Sequence, residues 1–127
     1  MDINIAPGIK HHEEIIVTEA HSALSFGSGS VNVFATPAMI AFLEKTAYES
    51  VQPLLPDGYT TVGTEVNIKH LKATAIGKII RSDSYLRSVE GRKLLFELHA
   101  WDDKGMIGIG THTRIIVEVL KFMETLK

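Results

Sequence analysis

The stretch 35–58, ATPAMIAFLEKTAYESVQPLLPDG, decides the fold. Thr36-Pro37 reads as a helix start, with Thr36 as the N-cap and Pro37 at the first helical position. A threonine hydroxyl there accepts an orphan backbone N–H, and proline has no N–H to leave unsatisfied. Ile40, Leu43, Ala47, Val51 and Leu54 then recur at helical spacing. Pro53 and Pro56-Asp57-Gly58 end the pattern. From Ala38 to Leu43 every residue is apolar, which predicts a helix buried on all sides, and Glu44 follows that run directly.

Downstream of this helix the period changes to two. Val62, Thr64, Val66, Ile68 and His70 are predicted to share one face of a strand. A second strand is expected over 77–89, with a hairpin turn at Glu90-Gly91. The third covers 93–101 and places Leu94, Phe96, Leu98 and Ala100 on one face. Asp102 to Gly105 makes another turn, and the last strand, MIGIGTHTRIIVEV, aligns Ile107, Ile109, Ile115 and Val117. Residues 120–127 are too short to assign. Upstream, 13–20 (EEIIVTEA) reads as a first strand, and the Ser- and Gly-rich segment after it reads as a mobile loop. The order is β–α–β–β–β–β. Strands joined by tight turns are antiparallel, and a long apolar helix needs cover that a curved sheet supplies. The expected fold is α+β: one domain over 1–127, with about five antiparallel strands wrapped around one central helix.

Composition narrows the function classes. The chain has 127 residues, 45% hydrophobic and 22% charged, which fits a single globular domain. It has no cysteine, so disulfides, thiolate metal sites and a cysteine nucleophile are excluded. The net charge is −2 and the basic residues are scattered, which argues against nucleic acid as a partner. No apolar run reaches membrane-spanning length. The start, MDINIAPGIKHHEE, lacks the basic and apolar regions of a secretory signal, so the expected location is the cytoplasm.

Three polar residues stand where the pattern wants apolar ones: Thr36, Glu44 and His70. Glu44 either turns to solvent beside Lys45 or is a carboxylate held for chemistry. His70 is either a hydrogen-bonded structural histidine or a proton-transfer group. Thr36 is explained as a cap, yet a hydroxyl at a helix start also lies beside positive partial charge that favours a developing anion. Arg114, on the face with Gly110 and His112, reads first as a solvated edge cation. His99 and His112 read as structural, and His11, His12 and His21 as too dispersed to bind metal. Together, a hydroxyl, a carboxylate and an imidazole are the groups that could surround one thioester carbonyl.

The stretches ATPAMIAFLEKTA, VGTEVNIKHLKAT and GIGTHTRIIV, in that order and spacing, resemble the fluoroacetyl-CoA thioesterase-like branch of the hotdog superfamily. The similarity runs from about Val17 to Val119. It implies that Thr36, Glu44 and His70 are catalytic, and that Gly63, Arg114 and Phe34 contact substrate. It implies an acyl-CoA substrate, with coenzyme A entering only as part of that substrate, no metal and no separate cofactor. It also implies a homodimer, or a larger assembly built from it, with the site at the dimer interface. Glu44 would attack the carbonyl or activate water, and His70 would assist the water step or protonate the thiolate. The segment FGSGSVNVF carries small residues where the fluoroacetyl-specific branch has a phenylalanine-lined lid, with Phe26 and Phe34 as partial substitutes. That departure implies a broader small acyl group. A noncatalytic acyl-CoA-binding module and an enoyl-CoA hydratase are the competing readings.

Overall fold

The computed structural model describes residues 3–127. Strand β1 is Lys10–Ile16, the short helix α1 is Ala23–Phe26, and the long helix α2 is Thr36–Val51. Strands β2 (Tyr59–His70), β3 (Ile79–Glu90), β4 (Lys93–Asp102) and β5 (Gly105–Glu118) follow, then helix α3, Val119–Glu124. The five strands form one sheet in the order β1-β3-β4-β5-β2, and every pairing is antiparallel. Helix α2 packs on the inner face. Met39, Phe42, Leu43, Ala47 and Val51 bury against Ile80, Leu86, Leu94, Phe96, Leu98 and Ile116. Each large apolar side chain buried there contributes about 1.5–3 kcal/mol. A buried polar link joins the same layers: the Thr46 hydroxyl bonds Ser82 on β3 and donates to the Phe42 carbonyl at 2.9 Å.

The helix is not buried on all sides. Ala41 is exposed and Ile40 half-buried, so the run 38–43 has one open flank that continues through Lys45 and Tyr48. β1 starts and ends earlier than the pattern places it. The segment expected to be a loop begins with a 3₁₀ turn, Glu19–His21, and helix α1. Ser22 caps that helix by accepting from the Ser25 N–H at 3.0 Å. Backbone bridges from Ser22 to Phe34 and from Val33 to Ala75 pin both ends of the segment.

Two bulges revise the strand faces. Gly63 pairs with Arg114 and Glu65 with Thr113, leaving Thr64 as the extra residue. One inserted residue flips every later side chain to the other face. The residues facing α2 are therefore Thr61 and Gly63 before the bulge, and Val66, Ile68 and His70 after it; Val62 and Thr64 are not among them. A second bulge in β5 falls at Ile107. Beyond it Gly108, Gly110, His112, Arg114 and Ile116 line the inner face, while Ile109, Ile115 and Val117 lie outside. Ile107 is fully buried at the bulge itself. Among the described residues, no helix is long and apolar enough to cross a membrane.

Gly110 shows how tightly β5 and β2 meet. A Cβ there would stand 1.9 Å from the Asn67 carbonyl oxygen and 2.8 Å from the Ile68 Cα. Both are backbone atoms of a paired strand, so no side chain can move aside. Gly110→Ala is expected to destabilise the fold by about 3 kcal/mol or more, read as a melting temperature lower by roughly 10 °C. An unchanged melting temperature would contradict this packing.

Candidate active site

The start of α2 builds one half of the site. Ala35, not Thr36, is the N-cap, and no side chain caps this end. Thr36 is the first helical residue, with Pro37 second, so its hydroxyl is not spent on the helix. The bulge at Thr64 turns His70, the last residue of β2, toward it. The result is a hydrogen bond of 2.7 Å between Thr36 Oγ1 and His70 Nδ1. His70 Nε2 is buried and has no hydrogen-bond partner among the described residues. Burial pushes the imidazole's pKa below its usual 6.5, so the ring is neutral at neutral pH. A neutral imidazole against a hydroxyl is a proton-exchanging pair. Phe34 fixes the ring from its edge, with centroids 6.5 Å apart at 80°, and is itself edge-on to His21 at 6.3 Å. The pair opens onto a cleft of about 260 Å³ whose walls include Val33, Phe34, Ala35 and Lys72.

The second half lies further along the same helix. Glu44 follows Thr36 by eight residues, a rise of about 12 Å, so the two side chains stand over different turns. Among the described residues, no hydrogen bond or ion pair joins Glu44 to Thr36 or His70. Its carboxylate acts instead on Arg114 and His112 of β5, where its charge favours the cationic form of each. Arg114 is only 8% exposed, so the solvated edge cation is corrected: the guanidinium points inward. Its Nε donates to Thr61 Oγ1 at 2.7 Å, one terminal nitrogen donates to the Thr61 carbonyl at 2.9 Å, and the other lies 3.1 Å from His112 Nε2. Its carbon sits 5.6 Å from the centre of the Tyr48 ring. Burial lowers the Arg114 pKa, but a guanidinium stays charged at any pH where the fold persists. Gly63 leaves room for the group: a Cβ there would be 3.0 Å from His112 Cε1 and 3.4 Å from the guanidinium.

The structure thus joins Thr36, His70 and Phe34 in one place, and Glu44, Gly63 and Arg114 in another. His112, which the sequence reads as structural, lies with the second group. The alternation Gly108, Gly110, His112, Arg114 put it on the face of Arg114, and that was the available signal. Of the three N-terminal histidines, only His11 comes near other candidate metal donors among the described residues, because α2 brings Glu49 to it. Donor atoms of His11, Glu13 and Glu49 lie within 4.8 Å of one another. The group is half-exposed, and Lys45 already pairs with Glu49 at 2.9 Å. A larger hollow of about 500 Å³, near Lys10, Asp83 and His99, includes none of the site residues. The chemistry on hand is a hydroxyl–imidazole pair, and a carboxylate beside a buried cation and a glycine backbone. Such groups polarise an acyl carbonyl and move the protons of an attacking water.

Residues 17–119 match the family described as fluoroacetyl-CoA-specific thioesterase. The fluoroacetyl-CoA thioesterase of Streptantibioticus cattleyicolor is 37% identical over 90 residues, which take in 71% of this chain and 65% of that relative. The match thus spans just under two-thirds of the relative's length. A solved structure of a fluoroacetyl-CoA thioesterase superposes with a TM-score of 0.90 at 27% identity, covering 97% of this chain and 96% of that one. A hot-dog-like protein from Thermanaerovibrio acidaminovorans gives 0.87 at 18% identity, covering 94% and 89% of the two chains, and supports the fold alone. The chain has the hotdog fold and belongs to the fluoroacetyl-CoA-specific thioesterase family.

Proposed function

We propose that this chain hydrolyses the thioester of a small acyl-coenzyme A to the free acid and coenzyme A, at a site that a second copy of the chain completes. The observation that carries the reading is the Thr36–His70 hydrogen bond over a cleft of about 260 Å³, a volume suited to a small acyl group. Phe26 is 47% exposed and does not line that cleft. Small residues at Ser28, Gly29 and Ser30 leave the entrance without a bulky wall, which favours several short acyl groups over fluoroacetyl alone. We place the reaction in the cytoplasm, because the phosphates of coenzyme A keep its esters from crossing a membrane.

The reaction needs a nucleophile at the acyl carbon, a donor for the oxyanion and a proton for the departing thiolate. In one course Glu44 takes a proton from water as the water oxygen bonds to the carbon. In the other Glu44 attacks, expels the thiolate and forms an anhydride that water opens. The Thr36 hydroxyl and the Gly63 backbone N–H stabilise the tetrahedral oxyanion, a role whose loss costs about 3 kcal/mol per donor. His70 carries the proton to the thiolate, and Arg114 holds an anionic part of the substrate. The rise of about 12 Å between Thr36 and Glu44 favours a site shared between chains. β2 is an edge strand with residues 63–67 exposed, so its unpaired backbone is available to a partner's β2. Two copies related by a two-fold axis would then bring Thr36 and His70 of one to Glu44, Gly63 and Arg114 of the other.

Free-thiol release across a panel of short acyl-CoAs is the direct test, with Glu44→Gln expected to lose about 10²-fold or more in kcat while still binding. A wild type silent on the whole panel, yet thermally stabilised by coenzyme A esters, would make it a binding module. The shared site is checked by mixing. Thr36→Val and Glu44→Gln are each expected to be nearly inactive alone. Refolded together they should regain about a quarter of wild-type turnover, because half the dimers are mixed and each of those holds one intact site. No recovery would place each site within one chain. The assembly should run at twice the 14.0 kDa chain mass.

Acid should act through His70. Its folded pKa lies below 6.5, so as pH falls the unfolded chain binds a proton first. Stability therefore rises with pH up to about 6.5 and is lost below it, with buried His112 contributing in the same direction, and turnover should decline with an apparent pKa under 6.5. A melting temperature and rate both flat from pH 7 to about 5 would contradict a neutral working His70.

A further inference from the structure

We propose that His112 is a positioning residue, a neutral imidazole protonated at Nδ1 that holds the Arg114 guanidinium and the bulge of β2 in one fixed relation. The inference rests on the reading above, in which Gly63 and Arg114 serve an acyl thioester, and it adds a residue to which no role there was given. Both of its ring nitrogens are committed. Nδ1 lies 2.8 Å from the Glu65 carbonyl oxygen, which can only accept, so Nδ1 carries the proton. Nε2 lies 3.1 Å from an Arg114 terminal nitrogen, which can only donate, so Nε2 offers a lone pair. The neighbours thus fix the tautomer. The ring is 1% exposed and lies against Phe96, with centroids 6.4 Å apart.

Two consequences follow from this placement. Thr61 and His112 together take three of the five guanidinium N–H bonds, leaving two for a ligand or for Glu44. The Glu65 carbonyl belongs to the bulge that turns Gly63, and the Gly63 backbone passes so close to the ring that no Cβ fits comfortably. His112 therefore couples the cation and the oxyanion donor. The groups facing it are Glu44 of α2, Phe96 of β4, Arg114 of its own strand, and the backbone of Gly63 and Glu65 on β2. Burial, the largest influence, and the Arg114 charge oppose the imidazolium; the Glu65 carbonyl and the Glu44 charge favour it without prevailing. A proton on Nε2 would also set N–H against N–H and release Arg114.

Two readouts test the role. The first needs no activity: nitrogen-15 correlation spectra of the imidazole should show Nδ1 protonated and Nε2 bare, unchanged from about pH 8 down to about 5.5. A ring protonated at Nε2, or titrating near its usual 6.5, overturns the proposal. The second is kinetic. His112→Phe keeps a ring but frees Arg114, and should raise KM for the acyl-CoA about 10- to 100-fold with a smaller change in kcat. His112→Gln places an amide oxygen where Nε2 stood, and should recover most of that loss. Wild-type kinetics in a folded His112→Phe protein sink the proposal, as does a His112→Gln protein no better than His112→Phe. If His112→Phe does not fold, the spectra and the KM of His112→Gln, expected within about 3-fold of wild type, decide it. A wild type that releases no thiol from any acyl-CoA is a failure of the functional reading, and leaves the spectral test standing.

Discussion

One inserted residue, Thr64, governs which side of β2 meets the central helix. Without it, the residues of β2 beyond Gly63 would present the opposite set of side chains to the core, because strand faces alternate with a period of two. His70 would then point away from Thr36. Thr61 and Gly63 lie before the bulge and accommodate Arg114, while Val66, Ile68 and His70 lie after it. The bulge thus lets one strand serve two requirements that a regular strand could not meet together. Beyond the bulge, the absence of a side chain at Gly110 of the neighbouring strand lets the two backbones approach at Asn67 and Ile68.

The helix contributes a second constraint. Its first residue carries the hydroxyl and a residue two turns on carries the carboxylate, so the two groups are held at a fixed separation by backbone hydrogen bonds. Ala35 as the cap matters here. A serine or aspartate at that position would bond the helix end more strongly, but it would bring another polar group against the Thr36–His70 pair. Helix stability comes instead from the buried face, where Met39, Leu43, Ala47 and Val51 are inaccessible to water.

Much of the fold was legible in the sequence because its signals are local. The Pro37 start, the Pro53 and Pro56 stop, and the change of period from helix to strand all follow from neighbouring residues. The β3–β4–β5 run also follows from its tight turns, whereas the places of β1 beside β3 and of β2 beside β5 do not. Val62 and Thr64 on β2 and Ile107 on β5 depart from the expected faces because a bulge is set by the partner strand, and nothing in VGTEVNIKH marks Thr64 as the extra residue. The candidate site was legible as residue types through the family resemblance, and only partly as geometry. Thr36 with His70 was recoverable; the burial of Arg114 and the double commitment of His112 were not, because they depend on Thr61 and Glu65 from another strand. The Thr36 cap assignment failed for a simpler reason. A Thr-Pro pair fits positions one and two of a helix as well as cap and one, and here Ala35 has the extended backbone of the cap.

The long free edge of β2 has a consequence for how the chain survives its own synthesis. A strand of 12 residues at the border of a sheet is a template for any extended segment nearby. Its guards are few: Glu65 and Lys69 are the charged residues along it. The bend at Thr64 breaks the straight run of donors and acceptors, so a flat, foreign strand can match only part of the edge. A newly folded chain therefore presents an edge that only an extended segment of matching curvature can follow along its full length. The irregularity that aims His70 also acts as a filter against aggregation.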